Sequence, residues 1–205
     1  MRIILVIILY IGLISACTQK PVYPEAMSQA IRCVETQPDS ALLYLDSILP
    51  STLQAEPEET RMYYDLLKIK ANDKLYHEHT SDSIILEIIR FYDEYGDLYK
   101  QMEAYYYLGS VYRDLGDAPR AVKAFLHTTE LGDNTMEYGL TGKAYGQSCV
   151  LLAQQGIYNE AEKAGRKELE YALLKNDSVA VGYSLRNIAR IFHDRHELDS
   201  ALHYY

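Results

Sequence analysis

Between Met102 and Thr135, apolar residues recur at the spacing of an α-helix on both sides of a short polar turn. Tyr105, Leu108 and Tyr112 are three or four residues apart, which places them on one face of a helix. A Gly-Asp pair follows, and a second periodic segment then begins. This pattern predicts two helices joined by a tight turn, each with an apolar stripe that another element must cover.

The same arrangement returns with a period of 40 residues. Three classes of position keep this period: alanines, small residues and large apolar residues. They are Ala121, Ala161 and Ala201; Gly109, Cys149 and Ala189; and Tyr112, Leu152 and Phe192. Gly116 and Gly156 keep the period as well, although His196 breaks it. A helical hairpin cannot bury its apolar stripe alone, so the repeat predicts an all-α fold, an α-solenoid of about four and a half stacked hairpins. The small residues would allow the two helices of a hairpin to approach closely.

Helical periodicity and cap residues place the other helices, and no segment shows the alternation of a strand. The segment from Pro50 to Pro57 is interpreted as a linker. The predicted helices are Glu25–Gln37, Ala41–Leu49, Glu58–Leu75, Ile84–Tyr95, Leu98–Leu115, Ala118–Leu131, Thr141–Gln155, Tyr158–Lys175, Ser178–Asp194 and one that begins at Leu198. The sequence stops about two turns into that last helix without a polar cap. We therefore expect a repeat domain, residues 25–205, that is truncated at its C-terminal end.

The segment from Met102 to Thr135 resembles a tetratricopeptide repeat (TPR). The resemblance is carried by a large residue, Leu108-Gly109 and Tyr112 on the first helix, and by Ala121 and Phe125 on the second. The period of 40 residues exceeds the usual TPR length of about 34, so each helix is expected to gain most of a turn. The resemblance implies an α-solenoid with a concave binding surface.

The N-terminus has the organisation of an export signal. Arg2 precedes an apolar run from Ile3 to Ile14, and small residues follow. A helix of that length spans roughly 18 Å, too short for a hydrocarbon core of roughly 30 Å, so a membrane span is the weaker alternative. The Ile-Ser-Ala-Cys tetrapeptide that ends at Cys17 resembles the lipoprotein box of bacteria. This resemblance implies a signal peptide of residues 1–16 and a lipidated Cys17, followed by a tether of residues 17–24.

Several features together are similar to the TPR lipoproteins of Bacteroides-type bacteria. They are the lipoprotein box, the segment Pro38–Asp46, the Ser81–Ser83 cap and the Tyr-Tyr-Leu-Gly repeat. The resemblance implies a lipid-anchored membrane protein of the bacterial cell envelope, and the lack of an acidic run after Cys17 favours a periplasm-facing location. Longer members of that group carry a transmembrane helix, a coiled coil and a helix-turn-helix, none of which is present in this sequence. We therefore expect an input or scaffold module, which a C-terminal signalling domain could follow.

Composition adds further constraints. The formal charge is −9, which argues against binding to nucleic acid or to an anionic membrane surface, because both need clustered basic residues. The chain has 20 Tyr but only 3 Phe and no Trp. Tyrosine suits half-buried helix faces, since its ring is apolar and its hydroxyl is polar. Cys33 and Cys149 lie far apart in the predicted array, so both are expected to be free thiols, with Cys149 acting as a small core residue.

Candidate chemistry is sparse. The sequence contains no zinc-protease helix, no nucleophile elbow and no phosphate-binding loop. Two groups of residues could be metal ligands, but polar residues at hairpin ends are the more common explanation for both. The groups are His77, Glu78, His79 and Asp82, and His193, His196, Glu197 and His203. We therefore expect no enzyme activity, no cofactor and no metal.

The first helix of each hairpin is expected to line the concave side of the array. The repeat register places there Glu103, Tyr106, Ser110 and Arg113; Lys143, Gly146, Val150 and Ala153; and Tyr183, Arg186, Arg190 and His193. The candidate ligand-binding residues among them are Tyr106, Arg113, Tyr183, Arg186, Arg190 and His193, because tyrosine rings and guanidinium groups suit a peptide that carries carboxylates. Pairing within the protein, or plain solvation, is the alternative for Arg186 and Arg190. The asparagines with which some TPR domains clamp a C-terminal carboxylate are replaced by Ser110 and Val150.

The sequence thus favours a non-catalytic scaffold or sensor input module that binds a protein or peptide. A carbohydrate-binding accessory lipoprotein is the alternative, because exposed tyrosines can stack on sugars. It ranks second, since such proteins carry long insertions between repeats and this chain has none.

Overall fold

The structure is a computed structural model that describes residues 22–133 and 135–205. The regular structure of this part of the chain is entirely helical. Its eleven helices are α1 (Glu25–Cys33), α2 (Pro38–Asp46), α3 (Pro50–Ala55), α4 (Glu58–Lys74), α5 (Ser83–Tyr95), α6 (Leu98–Asp114), α7 (Ala118–Gly132), α8 (Tyr138–Gln154), α9 (Tyr158–Leu174), α10 (Ser178–Asp194) and α11 (Leu198–Tyr204). Five antiparallel hairpins result: α1–α2, α4–α5, α6–α7, α8–α9 and α10–α11. The signal peptide of residues 1–16 and the lipidated Cys17 lie outside the described residues.

Three hairpins close through turns with the same backbone conformation. The middle residue of each turn is left-handed, with φ of 75° at Gly116, 74° at Gly156 and 64° at His196. Glycine adopts this conformation without steric cost, whereas histidine does so less readily. The break in sequence register at His196 is therefore not a break in structure, because the turn geometry is kept without glycine.

The residues that keep the 40-residue period are the ones that bring the helices together. Ala121, Ala161 and Ala201 are each at most 3% exposed. A Cβ atom on Gly109 would lie only 2.5 Å from the Phe125 ring, so α6 and α7 touch at this point. Cys149 is a buried free thiol that occupies a small-residue position, as the sequence predicts.

Two segments differ from the sequence prediction. The predicted linker from Pro50 to Pro57 contains the short helix α3, and Pro50 occupies its first turn, where the missing N–H of proline costs no hydrogen bond. Pro38 likewise lies in the first turn of α2, so that helix begins before the predicted start at Ala41. In both cases proline starts a helix, and the linker interpretation is wrong.

The surface formed by the first helices is the inner surface of the array. Consecutive first helices contact one another, in the order α1, α4, α6, α8 and α10. Among the described residues, consecutive second helices make no comparable contact. Since the first helices lie closer together than the second helices, the array curves toward them, as expected for a solenoid. Within the described ranges, no helix is long and apolar enough to cross a membrane.

Candidate ligand-binding site

Tyr106, a predicted ligand-binding residue, belongs to the core. It is only 7% exposed, and its ring meets those of Tyr107 and Phe125 edge to face, with centroids 5.1 Å and 5.4 Å away. The side chains of neighbouring helices cover it on the inner surface. This burial argues against a ligand contact at Tyr106, because the register alone does not show which inner positions the next hairpin buries.

Arg113 is engaged within the protein. Its Nη2 donates to Asp73 Oδ1 at 2.9 Å and to Asp114 Oδ1 at 2.8 Å. Its Nη1 also donates to Gln147 Oε1 at 3.4 Å. The guanidinium thus ties α4, α6 and α8 together, and these contacts within the protein occupy it.

The four candidates on α10 are exposed. The Tyr183 side chain is 52% exposed, and the Arg186 guanidinium lies 4.9 Å from the centre of its ring. Arg190 is also exposed, and His193 Nδ1 lies 3.2 Å from Asp194 Oδ1. Of the six predicted residues, these four remain available to a ligand, and Tyr183 also lines a cavity.

That cavity has a volume of about 260 Å³ and lies between α8, α9 and the start of α10. Tyrosine rings from all three helices form its walls, namely Tyr138, Tyr171 and Tyr183. Its floor is the backbone of α8 at Gly139 and Gly142. A Cβ on Gly142 would lie 3.1 Å from the Tyr171 Cβ, and one on Gly139 would lie 3.1 Å from the Lys175 Nζ. The two glycines therefore allow the Tyr171 and Lys175 side chains to lie close against α8 at the edge of the cavity.

Tyr171 is held rigidly as one wall of the cavity. Its hydroxyl donates a short hydrogen bond to Asp133. Its ring stacks on Tyr145 at 5.7 Å with an interplanar angle of 20°. Both contacts fix the ring before any ligand arrives, so the aromatic wall is preorganised.

Two ammonium groups lie at the cavity. Lys175 Nζ is 3.4 Å from Asp177 Oδ2, and Lys143 Nζ is 3.9 Å from Glu35 Oε2. Partial burial lowers the pKa of Lys143, and nearby Lys74, Lys70 and Lys175 lower it further, although Glu35 opposes them. Lys143 is thus in locally positive surroundings and would gain from an added carboxylate.

Glu168 supplies a titratable carboxylate to the same cavity. Burial raises the pKa of Glu168 to about 6, although the hydrogen bond from Asn187 Nδ2 at 3.1 Å partly opposes this. Gly146 makes room for the carboxylate, because a Cβ there would overlap it. The net charge of the cavity therefore becomes more positive as the pH falls through 6.

Sequence reasoning missed Glu168, Tyr171 and Lys175, which belong to the second helix α9 or follow it, because only first helices were considered. It also missed Tyr138, which begins the first helix α8. A signal was present in α8, where Gly139, Gly142 and Gly146 follow one another at three- and four-residue spacing. Glycines at such spacing share one helix face and predict a groove along it.

Comparison with known proteins establishes the architecture. Neither a protein-family model nor a curated protein matches the sequence. A kinesin light chain-like protein of Podosopora anserina, with nearly identical TPR-like repeats, superposes with a TM-score of 0.66 at 12% identity, over 88% of this chain and 90% of that chain. A point variant of that protein gives a TM-score of 0.67 at 12% identity, over 88% and 89% of the two chains. The fold is a TPR-like α-solenoid. At this identity the likeness shows the fold alone.

Proposed function

We propose that this TPR-like chain is a non-catalytic binding module that takes up a segment of another protein in the cavity between α8, α9 and α10. The observation that carries the proposal is the cavity itself, with three tyrosine walls, a glycine floor and two lysines. Binding to a preformed aromatic cavity loses little side-chain freedom, which favours affinity. Arg186, Arg190 and His193 continue the exposed polar surface along α10.

The chemistry of the cavity favours an acidic peptide with one apolar or aromatic side chain. The apolar side chain would enter between Tyr171 and Tyr183, and peptide carboxylates would pair with Lys143 and Lys175. The rest of the chain is acidic, with a formal charge of −9. The acidic surface of the chain would repel such a peptide, and the two lysines of the cavity would attract it. Charge complementarity of this kind contributes to specificity more than to affinity.

A carbohydrate is the second candidate ligand. The tyrosine walls of the cavity would stack on a sugar ring, as exposed aromatic rings commonly do. The two lysines favour the acidic peptide, because a neutral glycan offers them no opposite charge. An accessory role in glycan uptake therefore ranks second.

The chain is further proposed to be a sensor or scaffold input module held at the cell-envelope membrane by a lipid on Cys17. Tyr23 near the end of the tether packs on Tyr63, with ring centroids 5.4 Å apart, and its hydroxyl accepts from Lys100 Nζ at 3.0 Å. A fully extended chain from residue 17 to residue 23 spans roughly 20 Å. Lipidation would therefore hold the end of the array near Tyr23 close to the bilayer.

Peptide selection tests the binding proposal. A display library of random short peptides is expected to yield acidic sequences with an aromatic or aliphatic anchor. Lys143→Ala and Tyr183→Ala should each weaken the selected peptide about ten-fold, since each removes a charge-assisted contact or an aromatic wall. Lys163→Ala and Tyr44→Ala are the matched controls, because both residues are exposed and neither lines the cavity. Equal losses in the controls, or glycans that bind while no peptide is enriched, would contradict the proposal.

The same peptide gives a pH readout for the cavity. At about pH 5.5 Glu168 is mostly neutral while peptide carboxylates remain charged, so binding should be tighter than at about pH 7.5. Glu168→Gln should remove this dependence and bind tightly at both values. Isothermal titration calorimetry at the two pH values measures the affinity of the peptide for the wild type and for the variant. An unchanged pH dependence in the variant would exclude Glu168 as the cause.

Fractionation of the native cell tests the anchor. Cys17→Ser is expected to release the protein from the membrane fraction or to leave the unprocessed precursor, because serine cannot accept the thioether-linked lipid. Cys33→Ser is the control, since Cys33 is the next cysteine in the sequence. Normal processing and an unchanged membrane fraction for Cys17→Ser would refute lipidation.

A further inference from the structure

The connection between α4 and α5 holds a cluster of metal-ligating side chains. Residues 75–82 form this connection, which is longer than the three-residue turns of the next hairpins. His79 lies within it, Asp73 is near the end of α4, and Asp114 is the last residue of α6. One ligand atom from each lies within 4.8 Å of the others. The sequence considered His77, Glu78 and Asp82 alongside His79, but the structure gathers two aspartates around it instead.

One ring nitrogen of the partly buried His79 is unused. Its side chain is 12% exposed, and its Nε2 has no hydrogen-bond partner within the described part of the chain. The backbone N–H of His79 donates to Asp114 Oδ2 at 3.1 Å, and its Nε2 is 4.0 Å from the same oxygen. An imidazole nitrogen without a hydrogen-bond partner is available to bind a metal ion.

Arg113 orients the two carboxylates without using all of their oxygens. Its Nη2 donates to Oδ1 of Asp73 and to Oδ1 of Asp114. Each carboxylate keeps a second oxygen, and the second oxygen of Asp114 is turned toward His79. Hydrogen bonds of this kind commonly fix the carboxylates that bind a metal. Two carboxylates and one guanidinium leave a net charge of −1, which a divalent cation would offset.

We propose that Asp73, His79 and Asp114 form a binding site for a divalent transition-metal ion of the zinc class. One imidazole and two carboxylates suit zinc, whereas calcium needs six or more oxygens. In a tetrahedral zinc site the ligand atoms are about 3.3 Å apart, so the 4.0 Å pair must close by about 0.7 Å. With three protein ligands, water would complete the coordination. The ion would fasten the connection 75–82 to the end of α6 and so join two neighbouring hairpins.

Metal analysis of the tag-free protein tests the site. After removal of metals with a chelator and dialysis against Zn²⁺, the protein is expected to retain one zinc per chain and to melt several degrees higher. Mg²⁺ and Ca²⁺ should give no shift. Co²⁺ should give the visible absorption bands of a tetrahedral site.

Two histidine variants of the same connection separate the site from unspecific binding. His79→Asn should lose the bound zinc and the melting shift, because it removes the imidazole ligand. His77→Asn should retain both, since His77 is exposed and its Nδ1 lies 3.0 Å from Asn72 Oδ1. A wild-type protein that retains no zinc, or equal loss in the two variants, would overturn the proposal. Should His79→Asn fail to fold, the zinc content and cobalt spectrum of the wild type decide the question alone.

Discussion

Gly109→Ala is expected to destabilise the array by about 2–3 kcal/mol, although alanine is normally the better helix former. The added Cβ would lie 2.5–2.7 Å from three carbon atoms of the Phe125 ring, closer than van der Waals contact allows. Phe125 is completely buried, so its ring cannot move into solvent. Either the ring leaves its preferred position or α6 and α7 separate, and both cost packing energy. Urea unfolding followed by circular dichroism measures the change.

Gly182→Ala is the matched control for Gly109→Ala. Gly182 also lies inside a helix, α10, but nothing lies within 4 Å of a Cβ built there. The same substitution should therefore stabilise by up to about 1 kcal/mol, because only the helix propensity changes. Phe125→Leu in the Gly109→Ala background should recover part of the loss. If Gly109→Ala and Gly182→Ala shift stability in the same direction, the close approach of α6 and α7 is not what requires glycine.

Local periodicity predicted the fold because each repeat position has one packing role. Gly109 meets Phe125 across a hairpin, and Ala121 is buried in the adjoining helix. Such contacts lie within one repeat, so sequence spacing alone reveals them. Pro50 was misinterpreted because proline marks both the end of a helix and its first turn. The residues around it do not decide between these roles.

The candidate site was predictable only in part because it is made by neighbouring repeats. Tyr183 was recognised from its position on a first helix, and it does line the cavity. Tyr106 occupies an equivalent face yet is covered by Phe125 of the adjoining helix and by the amide of Gln147 from the next repeat. Glu168 and Tyr171 enter the cavity from a second helix. Repeat register assigns a face to each residue, but the sizes of neighbouring side chains decide which positions stay open.

Lys70→Met is expected to cost about 3–5 kcal/mol, a larger loss than for any exposed ion pair of the chain. Lys70 Nζ on α4 binds Glu103 Oε1 on α6 at 2.6 Å, and the side chains are only 8% and 4% exposed. Burial alone would lower the pKa of Lys70, but Glu103 and Glu35 outweigh it and raise the pKa. Methionine would fill the space and leave the Glu103 charge buried without its ammonium partner. Chemical denaturation at neutral pH measures the loss.

Lys68→Met is the matched control for Lys70→Met. Lys68 lies on the same helix and pairs with Asp46 at 2.8 Å, but the two side chains are 37% and 59% exposed. Water already solvates both charges, so the loss should stay below about 1 kcal/mol. Lys70→Met combined with Glu103→Met should recover most of the stability, because removing both charges leaves no buried charge unpaired. A double variant as unstable as Lys70→Met would contradict this explanation.

Glu35 extends the same ion pair across the inner surface, and this gives the cluster a pH dependence. Its carboxylate binds Lys70 Nζ at 2.7 Å and Lys74 Nζ at 2.8 Å. Burial would raise the pKa of Glu35, but these hydrogen bonds outweigh it and lower the pKa to about 2. The stabilisation from a carboxylate with a lowered pKa is complete above its unfolded pKa and is lost as the pH falls toward the folded value. Acidification from about pH 4.5 toward pH 2 should therefore lower the unfolding free energy of the wild type more than that of Glu35→Gln. In that variant Lys70 still has Glu103 as its partner at neutral pH. The repeat register places Glu103 on the inner, ligand-facing surface. In the structure Glu103 instead belongs to a charge cluster, with Lys70 and Glu35, that joins three hairpins.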